Sequence, residues 1–165
     1  MVTKKELLDG MVFELQICKR LYRKIPKSKM NYRPAKDMRS TIELLRYLSF
    51  CAPEFVRMLQ LDSFKTNNWE AYSAAEAQAK TLKPGQFPAA IDRSIGELRR
   101  LMAKISDRDL ATKKITMPWK KTLPMGEAMA ITGARFISGY RMQLYLYTKA
   151  SGGKKLGMTD CWFKN

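Results

Sequence analysis

Apolar residues in this chain recur mostly at three- and four-residue intervals, which is the period of an amphipathic helix. The first such stretch opens with Thr3 and Glu6 at the spacing of a capping box. It runs until Pro26, and Glu14 interrupts its flank. Its apolar seam consists of Leu8, Met11, Leu15, Cys18, Tyr22 and Ile25. This spacing predicts a long helix of the kind that packs in bundles.

Three more helices are predicted. The second begins at Ser40, with Glu43 in the capping-box position, and it is apolar nearly all round, which predicts deep burial. Pro53 either kinks this helix or begins a separate turn. The third helix is predicted over 88–104 and the fourth over 125–150, where serine and two glycines end it.

The connections between these helices are long. Residues 61–86 read as irregular chain with a short helix and a turn, and 111–123 as a loop with a brief hairpin. The last twelve residues read as a loose tail with Trp162 and Phe163 as its only anchors. We therefore predict one all-α domain over 1–165, a four-helix bundle with long connections between helices 2 and 3 and between helices 3 and 4.

The fourth helix has an unusual core-facing stripe. At positions where aliphatic residues are typical, several aromatic and polar residues stand at three- and four-residue spacing. The stripe consists of Met125, Met129, Thr132, Phe136, Tyr140, Gln143 and Tyr147. This pattern makes the centre of the bundle the place to look for chemistry.

Composition limits the class of protein. A chain of 165 residues with 45% hydrophobic residues is long enough to bury its own core. No apolar run approaches the roughly 18 to 20 residues of a membrane span, and no secretory signal is visible at the N-terminus. Three widely spaced cysteines suggest neither a disulfide framework nor a zinc site, so we expect a reduced, cytoplasmic protein.

The chain carries a formal charge of +16, from 31 Lys and Arg against 15 Asp and Glu. Such an excess favours attraction to polyanions at low salt. The basic residues are scattered along the sequence as short pairs, whereas nucleic-acid-binding proteins more often concentrate them on one element or beside exposed aromatic residues. Solvated faces and a polyanion site both remain open interpretations.

Two segments resemble the DinB-like superfamily of bacterial four-helix bundles. Residues 30–48 read M-N-Y-R-P-A-K-D-M-R-S-T-I-E-L-L-R-Y-L, and the family has a similar proline-containing connector, then Ser and Glu, then a histidine one turn later. Residues 126–147 read G-E-A-M-A-I-T-G-A-R-F-I-S-G-Y-R-M-Q-L-Y-L-Y. They resemble the family's last helix, in which two histidines four residues apart precede Arg and Gln.

The resemblance implies a divalent metal, often nickel or zinc, held by three histidines. Their positions correspond here to Tyr47, Phe136 and Tyr140, while Arg141 and Gln143 match the surrounding motif. This chain has no histidine, phenylalanine cannot ligate a metal, and a protonated phenol is a poor ligand. We therefore expect no metal and no cofactor at this site. The three rings either fill the vacated centre, or leave a pocket where the phenols and Gln143 bind a ligand.

Other residues near these positions have two interpretations each. Cys51 lies four residues after Tyr47 and is either inert packing or a nucleophile. Glu43 is either a helix cap or a base. Four arginines either hold an anionic ligand at the mouth of the bundle or stand on solvated faces: Arg39, Arg46, Arg135 and Arg141.

Three functions follow from these patterns. The leading hypothesis is a DinB-like protein with a degenerate metal site that binds a small molecule or acts as an accessory protein. The second is a metal-independent thiol transferase, since active relatives transfer thiol cofactors or add water. The third is a polyanion-binding module, which the charge alone motivates. The resemblance also implies a homodimer, and Met125, Met129 and Met142 could supply its apolar face.

Overall fold

The computed structural model of the chain describes residues 3–153 and 155–163. Its α-helices are α1 (Lys4–Tyr22), α2 (Thr41–Leu48), α3 (Cys51–Gln60), α4 (Ser63–Thr66), α5 (Glu70–Lys80), α6 (Phe87–Ala103), α7 (Asp107–Thr112), α8 (Met125–Met129), α9 (Phe136–Ala150) and α10 (Met158–Trp162). Short 3₁₀ turns span Lys27–Lys29 and Pro84–Gln86. Strands β1 (Lys114–Thr116) and β2 (Thr122–Pro124) pair antiparallel.

The predicted all-α four-helix bundle is confirmed. Its four rods are α1, the α2–α3 pair, α6, and the stretch from α8 to α9. Helix α1 packs against α6 and α9, α3 packs against α6, and α2 packs against α9. Within the described ranges, no helix is both long and apolar enough to cross a membrane.

Both predicted capping boxes are present. The Thr3 hydroxyl accepts the Glu6 backbone N–H while the Glu6 carboxylate accepts from Thr3, and Ser40 and Glu43 repeat this exchange at the start of α2. Each box satisfies backbone donors that a helix start leaves without intrahelical partners. The second cap fixes where the chain enters the centre of the bundle.

The second rod is two helices rather than one kinked helix. α2 ends at Leu48, and α3 begins at Cys51, two residues before Pro53. Proline is tolerated there because the first turn of a helix needs no intrahelical partner for its N–H groups. The break lets Phe50 and Phe55 point toward Tyr47, with ring centroids 5.6 and 6.5 Å away.

The last rod departs from the predicted continuous α-helix. A π-helical segment, Ala130–Arg135, separates α8 from α9. The wider π turn rotates the following helix relative to the ideal register. As a result Phe136, predicted to face the core, is 43% exposed, whereas its neighbour Ile137 is fully buried. Gly133 lies in this segment, where a Cβ would stand 2.7 Å from the Met11 sulfur.

The C-terminal tail is also more ordered than predicted. Helix α10 packs against α1 and α9, and its fully buried residue is Cys161. Trp162 and Phe163, the predicted anchors, are 48% and 55% exposed. Asp160 pairs with Lys24 at 2.7 Å, which adds a second attachment to α1. The anchor is therefore the cysteine and its polar neighbours, not the aromatic pair.

Candidate functional site

Two of the three rings at the positions that the family resemblance aligned with metal-binding histidines are in contact. The Tyr47 and Tyr140 centroids lie 4.5 Å apart with their planes inclined by 60°. Phe136 connects to this pair through Phe55, whose centroid is 5.9 Å from Phe136 and 6.5 Å from Tyr47. Such ring pairs add about 0.5–1.5 kcal/mol to the burial of their surfaces. The tyrosines therefore fill the centre, while Phe136 stands at the edge of the site.

Arg39 covers the tyrosine pair from the connector before α2. Its guanidinium carbon lies 4.3 Å from the Tyr47 centroid and 5.6 Å from the Tyr140 centroid, a cation–π geometry. A short relay holds its backbone, because the Gln143 amide donates to the Tyr147 hydroxyl at 2.9 Å and that hydroxyl donates to the Arg39 carbonyl at 2.8 Å. Gln143 therefore acts on the site by positioning Arg39.

Three cavities adjoin the ring cluster, which consists of Tyr47, Phe55, Phe136 and Tyr140, and residues of this cluster form parts of their walls. An apolar cavity of about 180 Å³ is lined by Tyr47, Phe55, Met58, Leu59, Phe64, Pro118, Trp119, Thr132 and Phe136. A more open one of about 330 Å³ is lined by Arg135, Phe136, Gly139, Tyr140 and Gln143. A third, about 180 Å³, is lined by Arg39, Glu43, Arg46, Tyr47, Phe50, Glu76, Ala79 and Lys80. Phe136 separates the first two cavities, and Tyr47 separates the first from the third.

Charge is distributed unevenly among these cavities. Arg135 is the one charged residue among the described residues that line the first two, and its exposed side chain borders the open cavity, which has no carboxylate in its lining. The third cavity mixes both signs, and three of its charges already have partners. Glu43 pairs with Arg33 at 2.8 Å, and Lys80 lies 3.8 Å from Glu76. The first two cavities are therefore the better site for an anion with an apolar part.

The surroundings of Glu43 and Cys51 favour structural roles over catalytic ones. The Glu43 carboxylate accepts the Ser40 backbone N–H at 2.7 Å, and that hydrogen bond lowers the pKa of Glu43. Such a carboxylate is a weak base. Cys51 is fully buried, and burial raises the pKa of its thiol to about 12. A thiol in that environment is protonated at neutral pH and is a poor nucleophile.

Arg141 lies outside the ring cluster, which corrects its expected place at the mouth of the bundle. It faces α1 and α10, where it is 1% exposed. Its guanidinium donates to the Glu14 carboxylate at 2.7 Å and to the Cys161 sulfur at 2.9 Å, and lies 4.4 Å from the Trp162 centroid. Burial is the largest single influence and lowers the pKa of Arg141, but the hydrogen bonds and charge interactions with Glu14 and Cys161 together outweigh it, so the pKa of Arg141 is raised. Arg141 is therefore a structural tie.

Tyr47, Phe136 and Tyr140 do not fit a divalent metal. Phe136 has no donor atom. Burial, with Cys51 and Tyr140 nearby, raises the pKa of Tyr47 well above its usual range, so its phenol stays protonated. Across residues 3–153 and 155–163, no group of three or more Cys, Asp or Glu side chains could hold an ion. Metal-assisted chemistry therefore has no support from this donor set.

Some features of the site could not be found from the sequence. Phe55 and Trp119 line the apolar cavity, yet neither lies on a predicted site helix, because α3 breaks from α2 and the hairpin folds back onto it.

The methionines expected on a dimer face give another correction. Met125 and Met129 are 1% and 0% exposed and therefore belong to the core. The homodimer stays a prediction without that surface.

Comparisons with known proteins bear on the fold. No protein-family model matches the sequence, and no curated protein matches it. Among solved structures, the crystal structure of the mycothiol-dependent maleylpyruvate isomerase superposes with a TM-score of 0.57 at 12% identity. The match covers 93% of this chain and 65% of that chain, so this chain spans slightly less than two thirds of the isomerase's length. The likeness shows a shared all-α fold and no activity.

Proposed function

We propose that this protein binds a small anionic molecule with an apolar group, in the two cavities that meet at Phe136. The apolar group enters the cavity lined by Phe55, Phe64 and Trp119. The anionic group lies in the open cavity, where Arg135 supplies charge and Tyr140 and Gln143 supply polar groups. Apolar walls with a few polar groups that orient the ligand are typical of small-molecule sites.

The observation that carries this proposal is the exposure of Phe136, which lines two apolar cavities, one of them bordered by Arg135. A phenylalanine that is 43% exposed keeps part of its apolar surface in water, and burying that surface against a ligand is favourable. The π-helical segment before it rotates Phe136 out of the core, and such segments often occur at functional sites. The bundle therefore leaves the Phe136 ring accessible next to Arg135, and neither side chain is buried in the core.

A thermal-shift screen of the full chain tests this function. The panel contains small carboxylates, sulfonates and phosphates with one apolar group, beginning with phenylacetate, and 2-phenylethylamine as the charge-reversed counterpart. Ligand that binds the folded state raises its melting temperature. We expect anions alone to do so, and Arg135→Gln to remove the effect. The matched control is Arg99→Gln, an exposed arginine on α6 outside the cavities. Equal shifts with the amine, or an undiminished shift in Arg135→Gln, contradict the proposal.

A thiol compound is a second ligand class, which the mycothiol dependence named for the structural neighbour favours. In that case the ligand brings its own thiol, since Cys51 is buried and protonated. Glutathione in the same screen tests this class, and a shift larger than that given by its S-methyl derivative supports it. Binding of nucleic acid stays a prediction, and affinity measured at two salt concentrations tests it.

A further inference from the structure

The tip of the β1–β2 hairpin forms one wall of the apolar cavity. Ile115 and Leu123 face each other in the hairpin and are 0% and 6% exposed, so they fasten it to the bundle. The Thr116 backbone N–H donates to the Asp62 carboxylate at 2.8 Å, which adds a tie to the loop after α3. The hairpin is therefore a fixed support rather than a free loop.

Trp119 stands at the tip of this support. The Met117 backbone N–H donates to the Lys121 carbonyl at 2.8 Å, and Lys120 adopts a left-handed conformation with φ of 66° that closes the turn. The indole lines the cavity but is 51% exposed. The backbone is thus held in place by other residues, and the side chain contributes little to the fold.

The size of the cavity limits what Trp119 can admit. A cavity of about 150 Å³ with apolar walls holds one benzene ring. The cavity here is about 180 Å³. One aromatic ring therefore fits between Trp119 and Phe136, whereas a fused two-ring group requires the indole to leave.

We propose that Trp119 sets the ligand specificity of this site, by restricting the apolar group of the anionic ligand to a single aromatic ring. This inference rests on the proposed function. The negative charge follows from Arg135 in the adjoining cavity, and the ring size follows from the wall that Trp119 closes. Removing the indole opens that wall to solvent and admits larger rings.

Isothermal titration of the full chain with phenylacetate and 2-naphthylacetate tests this inference. The wild-type chain should bind phenylacetate roughly tenfold more tightly, since small differences in size at an apolar pocket give at least that ratio. Trp119→Ala should abolish this preference or reverse it. The matched control is Leu146→Ala, which removes an apolar side chain on α9 that is 54% exposed and outside the cavity, and it should keep the wild-type ratio.

The outcomes separate the two proposals. Binding of phenylacetate with an unchanged preference in Trp119→Ala overturns the role of Trp119 and leaves the proposed function standing. Absence of binding by both probes, in the wild type and in Trp119→Ala, overturns both. Circular dichroism on each variant verifies folding. Trp119→Phe keeps an aromatic ring at the hairpin tip and so keeps the cavity wall, and it should therefore retain most of the preference for phenylacetate.

Discussion

Replacement of Arg141 by methionine should destabilise the fold severely, although Arg141 is outside the proposed ligand site. The Arg141 side chain is 2% exposed and its Glu14 partner 14% exposed. Removing the guanidinium leaves a nearly buried carboxylate without its counter-charge, and it also removes the hydrogen bond that attaches α10 through Cys161. The perturbation therefore combines an electrostatic loss with a loss of tertiary attachment.

The magnitude follows from the burial of the pair. Breaking a buried ion pair by deleting one partner costs about 3–5 kcal/mol. For a chain of this size each kcal/mol lowers the melting temperature by roughly 2–4 °C, so Arg141→Met should melt about 6–20 °C below the wild type. The double variant Glu14→Gln/Arg141→Met should recover about 1 kcal/mol or more, because the two side chains are energetically coupled.

Thermal unfolding followed by circular dichroism at 222 nm measures these differences. The matched control is Asp9→Asn, which breaks the pair with Lys5 on the same helix α1. Those side chains are 59% and 84% exposed, so the control should cost less than about 1 kcal/mol. A melting temperature of Arg141→Met within the range of the control would refute the assignment of Arg141 as a structural tie. So would a double variant no more stable than Arg141→Met.

Three further predictions concern the second rod and the cysteines. Ser40→Ala should cost about 1 kcal/mol in chemical unfolding, because it removes the helix cap of α2. The Ser40 N–H lowers the pKa of Glu43, so the ionised carboxylate stabilises the fold at pH values above its unfolded pKa of 4.5, and this contribution is lost as the pH falls through its folded pKa. Glu43→Gln should therefore show a smaller loss of melting temperature on acidification than the wild type. All three cysteines are buried and the pKa of Cys51 is about 12, so a thiol reagent at about pH 8 should label none of them in the native chain and all of them in guanidinium.

Local sequence patterns predicted the helices well where their signals are short-range. The capping boxes at Thr3 and Ser40, and the apolar spacing of α1 and α6, depend on contacts within a few residues. The predicted starts of α1 and α2 are confirmed and α6 matches its predicted range closely, but α1 ends at Tyr22 and does not continue to Pro26. The π-helical segment at Ala130–Arg135 does not follow from spacing, because a π turn changes the register of every later residue without a change in composition. Phe136 was therefore assigned to the core and is exposed instead.

What the sequence by itself determined is the class of fold, since that depends on residue types and helical period. What only the tertiary structure decided is which residues meet. Glu14 and Arg141 are 127 positions apart and pair across two helices, and Trp119 reaches the cavity beside Phe136 from a hairpin. Periodicity assigns a residue to a face of its own helix, but rotation of that helix and the path of the connections decide what the face contacts. The site therefore follows from packing between elements, which short-range patterns do not encode.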